Sequence, residues 1–268
     1  MRKSPLSKIL LTFAIGAVAF GACKKDDPSF LTIPPVPDQS FVEEFDTVAK
    51  SFERGWVPIN NSNPKGSSVW SQGGAPLPFF APYSSNGTYA GFIAADYLST
   101  SGTDDVISNW LISPVVMMQN GDKITFYTRT LLLPNAFTTG DSTDYGNNLE
   151  VCINTLNEGT NVGVANDPKD PAYNGATDRG DFSLVLTINP AIYNSGAQYW
   201  EYPWAHSNSG LYEPNSFPAD WTKFEVIVSG LSSPRKGRFA FRYYTLDGGS
   251  NGNGSAVGID QVTYTSKQ

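Results

Sequence analysis

Histidine is almost missing from this chain: His206 is the one imidazole in 268 residues. Cysteine is scarce too, with only Cys23 and Cys152. A zinc site built on nitrogen and sulfur therefore lacks donors. A Ser-His-Asp triad would have to recruit His206 with an unspecified serine and aspartate, and a loop histidine is the preferred reading. Cys152 falls inside an alternating apolar segment and reads as a small buried hydrophobe, not a nucleophile. Paired carboxylates could serve glycoside hydrolysis, but no motif points to a pair. Charge is sparse at 16% of residues, and the net charge is −7. Phosphate binding needs a basic stripe, so nucleic acid is excluded as a partner, whereas a divalent cation is permitted. No window holds a helical period over three turns, and no repeat points to a propeller or solenoid.

What is present is glycine, proline and aromatic residues, in proportions that suit a loop-rich extracellular β protein better than a cytosolic enzyme. The one long apolar run is Ile9 to Phe20, too short to span a bilayer comfortably. Arg2, Lys3 and Lys8 precede it, and Phe20-Gly21-Ala22-Cys23 follows. This order resembles a bacterial lipoprotein signal, in which residues 1–22 are removed and Cys23 carries the lipid. The alternative is an ordinary secretory signal with a chance cysteine. Lys24-Lys25-Asp26-Asp27 resembles the signal that sends Bacteroidetes lipoproteins to the outer face of the outer membrane. Pro34, Pro35 and Pro37 stiffen a tether, so residues 23–40 are expected to link the anchor to a folded domain spanning residues 41–268. Processing would remove three positive charges from a chain already acidic.

The centre of that domain is Asn109-Trp110-Leu111-Ile112-Ser113-Pro114, a compact apolar run that Pro114 ends at an edge or turn. After the Gly121-Asp122 turn, Lys123 to Arg129 alternates apolar Ile124 and Phe126 with polar Lys123 and Thr125, which predicts a half-buried strand. Further strands are expected at Phe41–Asp46, Gly55–Asn60, Ser68–Ser71, Tyr89–Ala94, Asn148–Asn154, Phe182–Ile188, Trp221–Val228, Gly237–Thr245 and Ala256–Thr265. Loops are expected at Gly73–Pro82, Thr138–Asn147, Gly159–Asp181 and Pro190–Asp220. About ten to twelve short strands with turns between them predict an all-β sandwich, with two small domains as the alternative.

The order of short motifs resembles the choice-of-anchor J and cleaved-adhesin domains of Bacteroidetes surface proteins. The opening Glu-Glu-Phe strand comes first, then Gly55-Trp56 and Trp70. The Trp110 run, Gly121-Asp122-Lys123-Ile124-Thr125-Phe126, Trp221-Thr222-Lys223-Phe224, Arg238 to Arg242 and Gly258-Ile259-Asp260-Gln261-Val262 follow. The resemblance covers residues 41–265 and implies a MAM-like jelly roll. Its members end in Ile-Asp-Asp-Val, where this chain has Gln261. Jelly rolls commonly pair first and last strands, which would bring Asp46 and Asp260 together, joined by Glu44. Close carboxylates repel, and a hard cation with oxygen ligands resolves the repulsion. The resemblance implies a structural Ca²⁺ there; solvent-facing acids at strand ends are the alternative.

Between Tyr193 and Tyr212 the chain interleaves Tyr199, Trp200, Tyr202 and Trp204 with Gln198, Glu201 and Asn208. Rings stack on sugar faces and amides bond hydroxyls, so the loop is a candidate glycan site, or else a lid on the core. Extended backbone around Pro203 puts Trp200, Tyr202 and Trp204 on one face, with Trp204 expected in the core and Trp200 more exposed. The function expected is a surface-anchored, non-catalytic, adhesin-like module for glycan or a host or matrix protein. An accessory component of an outer-membrane nutrient-capture system is the alternative, with a polysaccharide hydrolase behind it.

Overall fold

The computed structural model describes residues 35–73, 80–83, 90–103, 105–134, 142–167, 177–188, 205–206 and 217–268. Cys23 and Trp200, Tyr202, Trp204 and Tyr199 lie outside these residues. A compact unit runs from Asp38 to Gln268. In chain order its strands are β1 (Phe41–Glu43), β2 (Val57–Asn60), β3 (Ser71–Gln72), β4 (Ile93–Asp96), β5 (Asp105–Ile112), β6 (Val116–Met118), β7 (Lys123–Thr130) and β8 (Leu133–Pro134). They continue with β9 (Ser142–Thr143), β10 (Leu149–Asn154), β11 (Ser183–Ile188), β12 (Ala205–His206), β13 (Thr222–Ile227), β14 (Arg235–Gly248) and β15 (Ala256–Thr265).

Two antiparallel sheets form a β-sandwich. The first runs β13-β7-β15-β4-β3, with β1 beside the other half of β15. The second runs β11-β10-β14-β5-β2, with β6 beside the start of β14. A small sheet joins β12, β9 and β8. Pro58 sits in β2, which is an edge strand and so loses no ladder bond to the missing N–H. Pro114 ends the Trp110 run: Ser113 makes the last backbone bond to Phe239, and the chain re-enters the sheet at β6.

The period-2 pattern sets the core. Ile124 and Phe126 of β7, Val257, Ile259, Val262 and Tyr264 of β15 meet Leu111, Val151, Phe239 and Phe241 from the other sheet. Phe126 packs edge-on to Phe241 at 4.8 Å, and Phe239 stacks on Tyr264 at 6.1 Å, so both contacts cross the sandwich. Burying such rings contributes roughly 1.5–3 kcal/mol each relative to exposure.

Several boundaries differ from the sequence reading. A six-residue helix, α1 (Val48–Glu53), follows β1. Two turns are too few to register as a periodic pattern, and its stability comes from docking Val48 and Ser51 into the body. The segment around Trp70 is a bend, with β3 only at Ser71–Gln72; Trp70 is fixed instead by its indole N–H to the Asn109 carbonyl at 3.0 Å. β4 begins at Ile93, later than expected, and β5 already begins at Asp105. β6 is too short for alternation to show.

Candidate functional site

First and last strands do pair, with Phe41 opposite Tyr264 and Glu43 opposite Val262. Glu44 and Asp46 follow β1, and Asp260 lies in β15 near the end of this pair, but the three do not converge on one point. Phe45 turns the chain with φ +53°, and Gln261 bulges β15 with φ +46°. Asp260 is fully buried and accepts bonds from its neighbour Gln261 N–H at 2.7 Å and from Tyr83 N–H at 2.8 Å. Gln261 Nε2 reaches Glu44 Oε1 at 3.4 Å. Glu44 Oε2 is buried and has no hydrogen-bond partner among the described residues. Asp46 Oδ1 lies against Gly91, where an added Cβ would come to 3.1 Å from it. Among the described residues no three His, Cys, Asp or Glu side chains surround one point. The donor set is all oxygen and anionic, the chemistry a hard cation takes, and Glu44 Oε2 is the oxygen in want of a partner.

Asp260 also anchors a strap, Phe80 to Tyr83, laid over the outer face of the first sheet. Phe80 packs flat on Phe92 at 4.9 Å and edge-on to Trp221 at 5.4 Å, with the Arg129 guanidinium 4.5 Å above its ring. Trp221 Nε1 donates to the Ala81 carbonyl at 2.8 Å. Gly258 makes room, because a Cβ there would stand 2.8 Å from the Phe80 ring. The strap delivers Tyr83 onto Tyr127, with ring centroids 3.6 Å apart and planes within 17°. Tyr127 lies in register between Lys223 on one side and Asp260 on the other. Three adjacent strands thus present cation, aromatic pair and anion in one line. Tyr83 is 39% exposed, and its phenol is held above the ordinary value, chiefly by the hydrogen bond to Tyr127.

The second sheet carries a comparable line, with Trp110 opposite Arg242 and Arg242 opposite Glu150. Arg242 bonds Glu150 Oε2 at 3.1 Å and Ser108 Oγ at 2.9 Å, and its guanidinium lies 3.9 Å from the Tyr244 ring. Arg179 adds two bonds to Glu150, at 2.9 and 2.5 Å. Burial raises the Glu150 carboxyl, but the Arg179 bonds and both guanidinium charges outweigh it and hold it below its ordinary value. The segment after β10 covers this face, with Val162 and Phe182 packed on Trp110, Ile112 and Cys152. Burial pushes the Cys152 thiol up to about 12, so it stays protonated.

His206 lies in β12. Gly248-Gly249-Ser250-Asn251-Gly252 matches a nucleophile-elbow pattern by letter, a match that the sequence reading passed over. It sits in the turn joining β14 to β15, with no helix after it, so the strand-turn-helix context of an elbow is missing. Sequence reasoning also missed the Tyr83–Tyr127 pair. Its signal was an aromatic at Tyr127 on the polar side of an alternating strand.

No protein-family model matches the chain, and neither does any curated protein sequence. Similar solved structures include the K1 and K3 cleaved adhesin domains of Lys-gingipain from Porphyromonas gingivalis. They are 15% and 13% identical, each has a TM-score of 0.45, and they cover 85% and 86% of this chain and 99% and 100% of theirs. A family 11 carbohydrate-binding module from Clostridium thermocellum is 12% identical with a TM-score of 0.38, covering 86% of this chain and 96% of its own. At this distance the likeness assigns no ligand, which this chain's own side chains must supply.

Proposed function

We propose that this chain is a surface-anchored, non-catalytic binding module whose ligand is a glycan, taken on the outer face of the first sheet. The observation that carries this reading is the exposed Tyr83 ring stacked on Tyr127 between Lys223 and Asp260. A flat ring already supported from behind offers its free face to the C–H face of a pyranose without first being ordered. Asp260 faces the strap and not the ligand, holding Tyr83 N–H in place. In this reading Glu44, Asp46 and Asp260 hold a structural Ca²⁺, which neutralises their repulsion and fixes the same strap. Cys23 carries the lipid that keeps the module on the outer membrane, at the cell surface.

The test is a glycan array probed with the full chain, then titration of any hit against Tyr83→Ala. Tyr83→Ala is expected to weaken binding at least about tenfold. Absence of any hit, or a hit that Tyr83→Ala leaves unchanged, overturns the assignment. The anchor is tested separately by metabolic labelling with a fatty-acid analogue. Wild type should be labelled and Cys23→Ser should not; equal labelling removes the lipid from the reading.

A further inference from the structure

We infer that β13 is a dimerisation edge, and that a second copy of this chain adds its own β13 to the first sheet in antiparallel register. This goes beyond the glycan reading and does not depend on it. Among the described residues β13 pairs only with β7, and none of them occupies the backbone donors and acceptors of its other edge. Beside it runs a groove of about 490 Å³, walled by Ile153, Val185 and Leu186 of the second sheet and by Val226, Ile227 and Leu231. Ile227 is 54% exposed, and Leu184 and Val185 of β11, the facing edge strand, are also exposed.

The occupant is chosen by charge. Lys223 and Glu225 flank Phe224 and are both exposed on the outer face, where Glu225 also lies 3.4 Å from the Lys123 ammonium of β7 and keeps room for a second cation. Two identical strands meeting antiparallel pair residue for residue about a centre. A centre on Phe224 sets Lys223 opposite Glu225 of the second copy, and Glu225 opposite its Lys223. The same register sets exposed Ile227 opposite Trp221 of the second copy. Moving the centre by one residue, to Lys223 or to Glu225, sets Lys223 against Lys223 or Glu225 against Glu225. Opposite charges directly across a ladder stabilise it and like charges destabilise it, so the centre on Phe224 is favoured: it alone pairs both charges with their opposites. The contact is isologous and closes at two copies. Its two-fold axis stands perpendicular to the sheet, so both Tyr83 rings face the same way. If that platform binds glycan, the dimer is bivalent.

Sedimentation velocity on the full chain with Cys23→Ser tests the edge without any lipid contribution. A dimer is expected. Lys223→Glu alone and Glu225→Lys alone should each weaken association at least about tenfold, and the double exchange should restore it. Carbodiimide coupling of mixed isotope-labelled and unlabelled wild type needs no variant: a Lys223–Glu225 amide joining a labelled to an unlabelled copy is expected. A monomer at concentrations up to about 100 μM, a dimer that both reversals leave intact, or a dimer without the mixed-isotope amide would each overturn the inference.

Discussion

The two outer faces of the sandwich carry nearly the same chemistry and meet opposite fates. On the second sheet, Trp110, Arg242 and Glu150 stand side by side on β5, β14 and β10. On the first, Lys223, Tyr127 and Asp260 stand side by side on β13, β7 and β15. Arg242 is 0% exposed, because the segment after β10 folds back over it and adds Arg179 to the pair. Lys223 is exposed, and the strap over the first sheet ends with Tyr83 facing solvent. A charged pair sealed in this way specifies structure, whereas an aromatic ring left open at the end of a braced strap is available to a ligand. Composition does not separate the two faces; the covering segment does.

The largest expected effect comes from unsealing the closed face electrically. Glu150→Gln leaves Arg242 buried beside a neutral partner, with its Nη2 already lacking a hydrogen bond among the described residues. Breaking a buried pair in this way costs about 3–5 kcal/mol. For a domain of this size that lowers the melting temperature by roughly 6–20 °C. A loss under about 1 kcal/mol, typical of surface pairs, would erase the contrast between the faces.

Next comes the carboxylate corner of the open face. Chelator should lower the melting temperature of wild type. A bound ion at a hundredfold excess over its dissociation constant stabilises the folded state by about 2.7 kcal/mol. Asp260→Asn should abolish the chelator shift, while Glu150→Gln should keep it. Metal analysis that finds no calcium, together with no chelator shift, would remove the ion from the proposal.

Acid should act on the closed face. The folded-state value of Glu150 is depressed, so its contribution is complete above the ordinary value of 4.5 and is lost as pH falls below that value towards the folded one. Thermal melts of wild type and Glu150→Gln should therefore converge in acid. A gap that stays constant from neutral pH downward would mean that something other than this carboxylate's ionisation separates the two proteins.

The smallest effect on stability belongs to Tyr83→Ala. The ring is exposed, so the melting temperature should hardly move even where binding is lost. A large drop would make Tyr83 a structural brace and align the open face with the closed one.

By itself the sequence determined the sandwich. Alternation in Lys123–Arg129 put Ile124 and Phe126 inside, the Trp110 run marked a fully buried strand, and Ala256–Thr265 was legible end to end, because side chains two apart on a strand must share a face. Motif order paired the first strand with the last. The three-residue β6 and the short helix α1 were not legible, and β3 was expected at Ser68–Ser71 instead of Ser71–Gln72, since all three are too short to show a period. Nor was either outer face. Glu150 and Arg242 read as ordinary outward polar residues, and nothing local marks them for burial. Period 2 says which residues share a face and not what is laid across it. Only the tertiary structure brought Tyr83 to Asp260, 177 residues away, and folded the segment carrying Arg179 back onto Glu150. The physical reason is that a covering contact depends on where distant chain segments return, which no local pattern encodes.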